Sequence, residues 1–128
     1  MPDAPLRVLI VDDHPMVRAG LRSMLSGDEV DVVGEAASAA EAVERAVSLR
    51  PALVLLDVKL PDIHGFELCR RLKRMDAFKN TPIMFVSASG LYNDPRDRVE
   101  GLLSGAAVFL PKPISVDKLW DEIEALLS

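Results

Sequence analysis

Five short runs of aliphatic and β-branched residues, separated by longer stretches with helical spacing, constrain this chain more than any other feature of its sequence. The runs are 7–11 (RVLIV), 30–34 (VDVVG), 52–56 (ALVLL), 83–86 (IMFV) and 106–110 (AAVFL). Strands that stay apolar on both faces are buried on both faces, so helices must cover both sides of the sheet they form. The intervening stretches supply them. Val17, Leu21, Met24 and Leu25 follow Pro15 on one face, and 38–49 carries Ala and Val at helical spacing before Pro51. Phe66, Leu68, Leu72 and Met75 follow Gly65, and a shorter helical stretch runs to Leu103. Val116, Leu119, Trp120, Ile123, Leu126 and Leu127 form a one-sided stripe behind Ser115, a good N-cap. Strands alternating with helices mean βαβ units. The expectation is an α/β fold with a five-stranded parallel sheet, doubly wound by five helices. Right-handed crossovers leave few topologies, and the order 2-1-3-4-5 is the natural one.

The 128 residues suit one domain, expected to span 1–128. A hydrophobic content of 49% supports a buried core and argues against disorder. The net charge of −5 is a poor match for a phosphate backbone, so no direct contact with nucleic acid is expected. Cys69 is the single cysteine, which excludes an internal disulfide and a cysteine zinc cage and suits a reducing cytoplasm. No apolar run approaches the ~20 residues of a membrane span, and MPDAPLR is not a signal peptide, so no membrane association is expected.

The polar residues carry the functional signal through their positions. Asp12 and Asp13 follow the first apolar run, Asp57 the third, Ser87 the fourth, and Lys112 comes just after the fifth. In an open parallel sheet, ligands gather outside the carboxyl ends of the strands where the strand order reverses. Here that point lies between strands one and three. Three carboxylates in one crevice repel one another and raise each other's pKa. A hard divalent cation relieves this, and Mg²⁺ suits a few carboxylates with waters and phosphate oxygens. Lys112 adds a point charge for an anionic group and Ser87 a hydroxyl donor. Such a set is built to hold a phosphoryl group on or beside a carboxylate. Each residue alone has an ordinary explanation: an N-cap, a surface lysine, a loop serine. Five at one sheet edge make coincidence a poor account.

VLIVDDHP, LVLLDVKLPDIHG, FVSAS and FLPKP, in this order, resemble the receiver domain of two-component response regulators. The resemblance runs from about Arg7 to about Leu127 and implies a flavodoxin-like fold. It implies that Asp57 is the phosphoacceptor, that Asp12, Asp13 and the Lys59 backbone carbonyl serve Mg²⁺, and that Lys112 binds a phosphoryl oxygen. Ser87 would hydrogen-bond the phosphoryl group, and Phe109 stands where the family places its switch aromatic. The Lys112–Pro113 bond is typically cis in such proteins. A histidine kinase or histidine phosphotransfer protein would donate the phosphoryl group in the cytoplasm. A downstream output domain or protein would read the switch, and a homodimer is compatible with it. The domain would promote its own phosphorylation and dephosphorylation without turning over an external metabolite. DDHPMVRAGL resembles receivers that precede a helix-turn-helix domain; these 128 residues contain no such domain.

The chain departs from the family pattern in places. Ser87 replaces the commoner Thr, and Phe109 lacks a phenol, so a switch there works by packing. His64 stands where an acidic residue usually precedes Gly65 and is expected in a surface turn. Lys59 is a long cation where smaller residues are frequent. The segment from Ser89 to Arg98 is longer than usual and is expected to respond most to phosphorylation. His14 reads as a loop or N-cap residue, Cys69 as core filler and Trp120 as packing. Arg70, Arg71, Lys73 and Arg74 read as a solvated helix face. A phosphatase of the haloacid-dehalogenase type would require an Asp two residues after Asp57, where Lys59 stands. A flavodoxin would require a Ser/Thr/Gly-rich loop after the first strand. A receiver-like interaction module that is never phosphorylated is the remaining alternative, and retention of all five site residues argues against it.

Overall fold

The computed structural model describes residues 4–88, 99, 103–106, 108–112 and 115–127, with backbone alone at 87–88, 109, 111–112 and 126–127. The strands are β1 (Leu6–Val11), β2 (Val30–Ala36), β3 (Leu53–Asp57), β4 (Ile83–Ala88) and β5 (Val108–Lys112). They pair in parallel in the order β2-β1-β3-β4-β5, the order expected. The helices are α1 (Pro15–Met24), α2 (Ala39–Leu49), α3 (Gly65–Arg74) and α4 (Val116–Leu127), with a 3₁₀ turn at Asp76–Phe78. Of the fifth expected helix only Val99 and Leu103 are described, both helical; the long segment 89–98 and the Lys112–Pro113 bond lie outside the described residues.

Side-chain alternation along the strands sorts the core into two layers. Leu9, Val11, Val54, Leu56 and Phe85 face α2 and α3, joining Ala39, Ala42, Ala46, Phe66, Leu68, Cys69 and Leu72. Val8, Ile10, Leu53, Leu55 and Met84 face the other way, against Leu21, Leu25, Leu119 and Ile123. A strand buried on both sides has no register freedom, because a slip of one residue would exchange the two sets. Truncating a residue such as Leu56, wholly buried, to Ala costs about 2–5 kcal/mol.

Helix ends follow local chemistry. Pro15 opens α1, where its missing N–H is no loss. Ser38 caps α2 by accepting from Glu41 N–H at 3.2 Å, and Ser115 accepts from Lys118 N–H at 3.4 Å. Trp120 packs in the α1–α4 layer, and its indole N–H donates to the Met24 carbonyl at 2.9 Å. Cys69 is buried core, and burial pushes its thiol pKa up.

Each strand differs from its expected run by one or two residues at an end, β3 reaching Asp57 and β4 reaching Ala88, and β5 is shifted as a whole. The fifth strand runs 108–112, not 106–110, and passes through Pro111. Gly105, at φ +106°, completes the turn that precedes it. Proline reads as a terminator, yet β5 is an edge strand, and an edge tolerates a missing donor.

Candidate functional site

The sheet order decides which side chains meet. Val11 and Leu56 are register partners, so the residues that follow them, Asp12 and Asp57, leave adjacent strands at the same edge. Asp12 is 1% and Asp57 4% exposed, which only compensating partners make tolerable for carboxylates. Asp13 is half-buried beside them. One ligand atom from each of Asp12, Asp13, His14 and Asp57 lies within 4.8 Å of all the others.

The backbone holds this cluster open. Asp12 N–H donates to the Ala36 carbonyl of β2 at 3.0 Å. The Asp57 carboxylate accepts from Lys59 N–H at 3.4 Å, and Lys59 and His64 form an isolated antiparallel bridge that closes the loop after β3. Gly65 N–H donates to the Val58 carbonyl at 2.7 Å. A Cβ on Gly65 would fall 2.6 Å from the Asp57 carbonyl oxygen and 2.9 Å from Val58 Cα. No residue but glycine fits there, and the start of α3 therefore backs directly onto the Asp57 peptide.

Two histidines do more than their positions suggest. His14 stands at the N-cap of α1, but its side chain caps nothing. Its backbone N–H donates to Asp12 Oδ1 at 2.9 Å, and its imidazole Nδ1 lies 3.1 Å from that oxygen and 3.0 Å from Asp13 Oδ1. His64 sits in the expected turn and also caps α3, its Nδ1 accepting from Phe66 N–H at 3.2 Å. Its ring packs on Phe66, which meets Phe85 edge-on at 5.0 Å.

The remaining predicted residues are placed by backbone. In the β4–β5 register Ser87 pairs with Pro111 and Ala88 with Lys112, so Ser87, next to last in β4, and Lys112, last in β5, stand at the carboxyl ends of their strands, the edge that carries the aspartates. Phe109 pairs with Phe85. The side chains of Ser87, Phe109 and Lys112 lie outside the described residues. Sequence reasoning missed Arg18 and Glu35. Arg18, on α1, donates through Nη1 to the Asp12 carbonyl and through Nε to Glu35 of β2. A four-residue spacing of Arg18 and Arg22 is visible in the sequence, but nothing there names the acid they share.

The donor set fits a hard divalent cation. Asp13 Oδ1 is buried and, apart from the His14 ring nitrogen 3.0 Å away, meets no hydrogen-bond donor among the described residues, which leaves it capacity for a cation. Carboxylate oxygens on two adjacent strand ends suit Mg²⁺, which takes one or two carboxylates and keeps waters.

The family model for the response regulator receiver domain matches residues 8–124. The DNA-binding transcriptional activator DevR/DosR of Mycobacterium tuberculosis is 40% identical over 110 residues, 85% of this chain and 48% of that protein. Response regulator Rre1 of Synechocystis is 35% identical over 127 residues, 97% of this chain and 52% of that protein. The chain thus spans about half the length of these curated relatives. Among solved structures, a LuxR-family two-component response regulator from Aurantimonas superimposes with a TM-score of 0.85 at 29% identity, covering 96% of this chain and 85% of that one. Chemotaxis response regulator CheY4 of Vibrio cholerae gives 0.84 at 26% identity, covering 94% and 98%. The chain belongs to the response regulator receiver family, and its Asp12–Asp13–Asp57 cluster is typical of that family's phosphoacceptor site.

Proposed function

We propose that residues 1–128 form one phosphoacceptor domain in which Asp57 takes a phosphoryl group from a histidine kinase or histidine phosphotransfer protein in the cytoplasm. The observation that carries this reading is the burial of Asp57 at the end of β3, with the Asp12–Asp13 pair across the crevice. An Asp57 oxygen attacks phosphorus in line, the bond to the donor nitrogen breaks, and an acyl phosphate forms. Asp12, Asp13, Asp57 and the Lys59 carbonyl would hold Mg²⁺, which when bound neutralises charge on the phosphoryl and carboxylate oxygens. Lys112 pairs with a phosphoryl oxygen, and Ser87 donates a hydroxyl to another. The chain contributes positioning and electrostatics and transforms no external metabolite. Hydrolysis of the acyl phosphate returns Asp57 to a carboxylate. Ser87 and Phe109 relay the state toward β5, and an output domain or protein outside these residues reads it.

Incubation with acetyl phosphate and Mg²⁺, followed by intact-mass measurement, tests this. The chain gains one phosphoryl group, and Asp57→Asn gains none. Full labelling of Asp57→Asn overturns the assignment. A wild-type chain that accepts nothing from acetyl phosphate or from a kinase returns the question to the interaction-module alternative.

A further inference from the structure

Arg18 holds the metal-ligand loop from behind. We infer that Arg18 is a positioning residue for the phosphoacceptor site, fixing the direction in which Asp12 and Asp13 leave β1; this rests on the site reading above. Both backbone polar groups of Asp12 are anchored. Its N–H goes to the Ala36 carbonyl at 3.0 Å, and its carbonyl accepts from Arg18 Nη1 at 2.5 Å. The guanidinium is itself fixed. Its Nε donates to Glu35 Oε1 at 2.8 Å, while Arg22 Nε donates to Glu35 Oε2 at 2.8 Å. Arg18 is 17% exposed and Arg22 49%, so the two arginines of one helix face share one acid but only the inner one reaches the site. Burial raises the Glu35 pKa, but the hydrogen bonds and charges of Arg22 and Arg18 outweigh it and hold the carboxyl below its usual value. Glu35 therefore stays a charged anchor throughout the neutral range.

The fork geometry is the reason for arginine. A guanidinium reaches two acceptors in fixed directions, whereas a lysine ammonium is a point charge on a flexible stem. Asp12 and Asp13 are consecutive, so a rotation of the Asp12 peptide plane swings both carboxylates together. Partners that orient metal ligands from behind are worth roughly 10–100-fold in metal affinity.

The sign of the effect separates positioning from charge. Deleting a cation beside an acidic cluster makes the cluster more attractive to Mg²⁺, so electrostatics alone predicts tighter binding in Arg18→Ala. Positioning predicts weaker binding. Mg²⁺ titration followed by amide shifts at 12–13 and 57–59 reads this directly. Arg18→Ala and Arg18→Lys both weaken Mg²⁺ about tenfold and shift the Asp13 amide in the metal-free protein. Arg22→Ala, which loses the same acid but not the Asp12 carbonyl, stays near wild type. Arg18→Lys keeps the charge and keeps the experiment decisive should Arg18→Ala not fold. Tighter binding in Arg18→Ala, wild-type binding in Arg18→Lys, or equal weakening in Arg22→Ala each overturns the inference. Wild-type protein whose amides at 12–13 and 57–59 ignore Mg²⁺ overturns the site reading beneath it instead.

Discussion

Gly65 shows how much one hydrogen atom in place of a methyl can decide. Alanine ordinarily stabilises a helix relative to glycine by roughly 0.5–1 kcal/mol. Here the added Cβ would meet the Asp57 carbonyl oxygen at 2.6 Å and the Val58 backbone at 2.9 Å, and backbone atoms in a sheet cannot swing aside. The clash outweighs the propensity. Gly65→Ala is expected to lose about 1–3 kcal/mol, read as a lower urea midpoint at unchanged slope, and to accept phosphoryl groups more slowly because its strain falls on the acceptor's own peptide. An unchanged midpoint would mean that α3 shifts freely, against the packing seen. The sequence shows Gly65 at a helix start but not what it faces, since the contact depends on the chain returning to its own strand end. Lys59 is a second case. Its backbone serves the loop while its side chain is exposed beside Asp57. Lys59→Ala is expected to change the acyl phosphate lifetime severalfold, faster loss marking a shield and slower loss a water-orienting group. A lifetime equal to wild type would make the side chain ordinary surface.

At the scale of elements, α2 is tied to the acceptor loop by a carboxylate. Ser38 caps this helix from within its own chain segment. Asp62, from the loop after β3, reaches across to accept from Ala39 N–H at 2.8 Å and Ala40 N–H at 2.9 Å. The pair is 23 and 22 residues apart in sequence, a separation at which no local pattern signals a cap. Those two backbone hydrogen bonds lower the Asp62 pKa. The sign follows: a carboxyl depressed in the folded state stabilises above its unfolded pKa of about 3.9 and loses that contribution as pH falls through the folded value. Asp62→Ala is expected to cost about 1 kcal/mol at neutral pH. Urea melts across an acid series should show the gap between mutant and wild type closing below about pH 4. A gap of the same size in strong acid would assign the loss to packing and not to the charged cap. His64 has a similar history. Its turn is legible from its place before Gly65, whereas imidazole is not a preferred capping group, so the bond to Phe66 N–H is not.

For the whole molecule, topology is the most legible layer because it follows from periods and lengths that no single residue can spoil. Continuous apolar runs demand cover on both sides, and the polar residues behind runs one and three meet because β1 and β3 are neighbours. What the sequence hides is contact between distant segments: Arg18 with the Asp12 carbonyl, Asp62 with α2, the His14 ring with two carboxylates. The same view predicts that the site costs stability. A net charge of −5 is spread over the surface, yet Asp12, Asp13 and Asp57 are concentrated in one crevice, and among the described residues the buried Asp13 Oδ1 has only the His14 ring nitrogen, at 3.0 Å, beside it. Sites of this kind are held against the preference of the fold. Asp13→Asn removes one charge and brings an amide that can donate to its neighbours. In metal-free buffer it is expected to melt higher than wild type by about 3–5 °C, corresponding to about 1 kcal/mol. Mg²⁺ should then reverse the order. An ion bound only by the folded state at tenfold over its dissociation constant stabilises by about 1.4 kcal/mol, and wild type gains this while Asp13→Asn gains little. Thermal melts of both proteins with chelator and with rising Mg²⁺ should therefore cross. Parallel curves would mean that the ion binds elsewhere, and a mutant that melts lower in chelator would mean that its partners, not repulsion, dominate at Asp13.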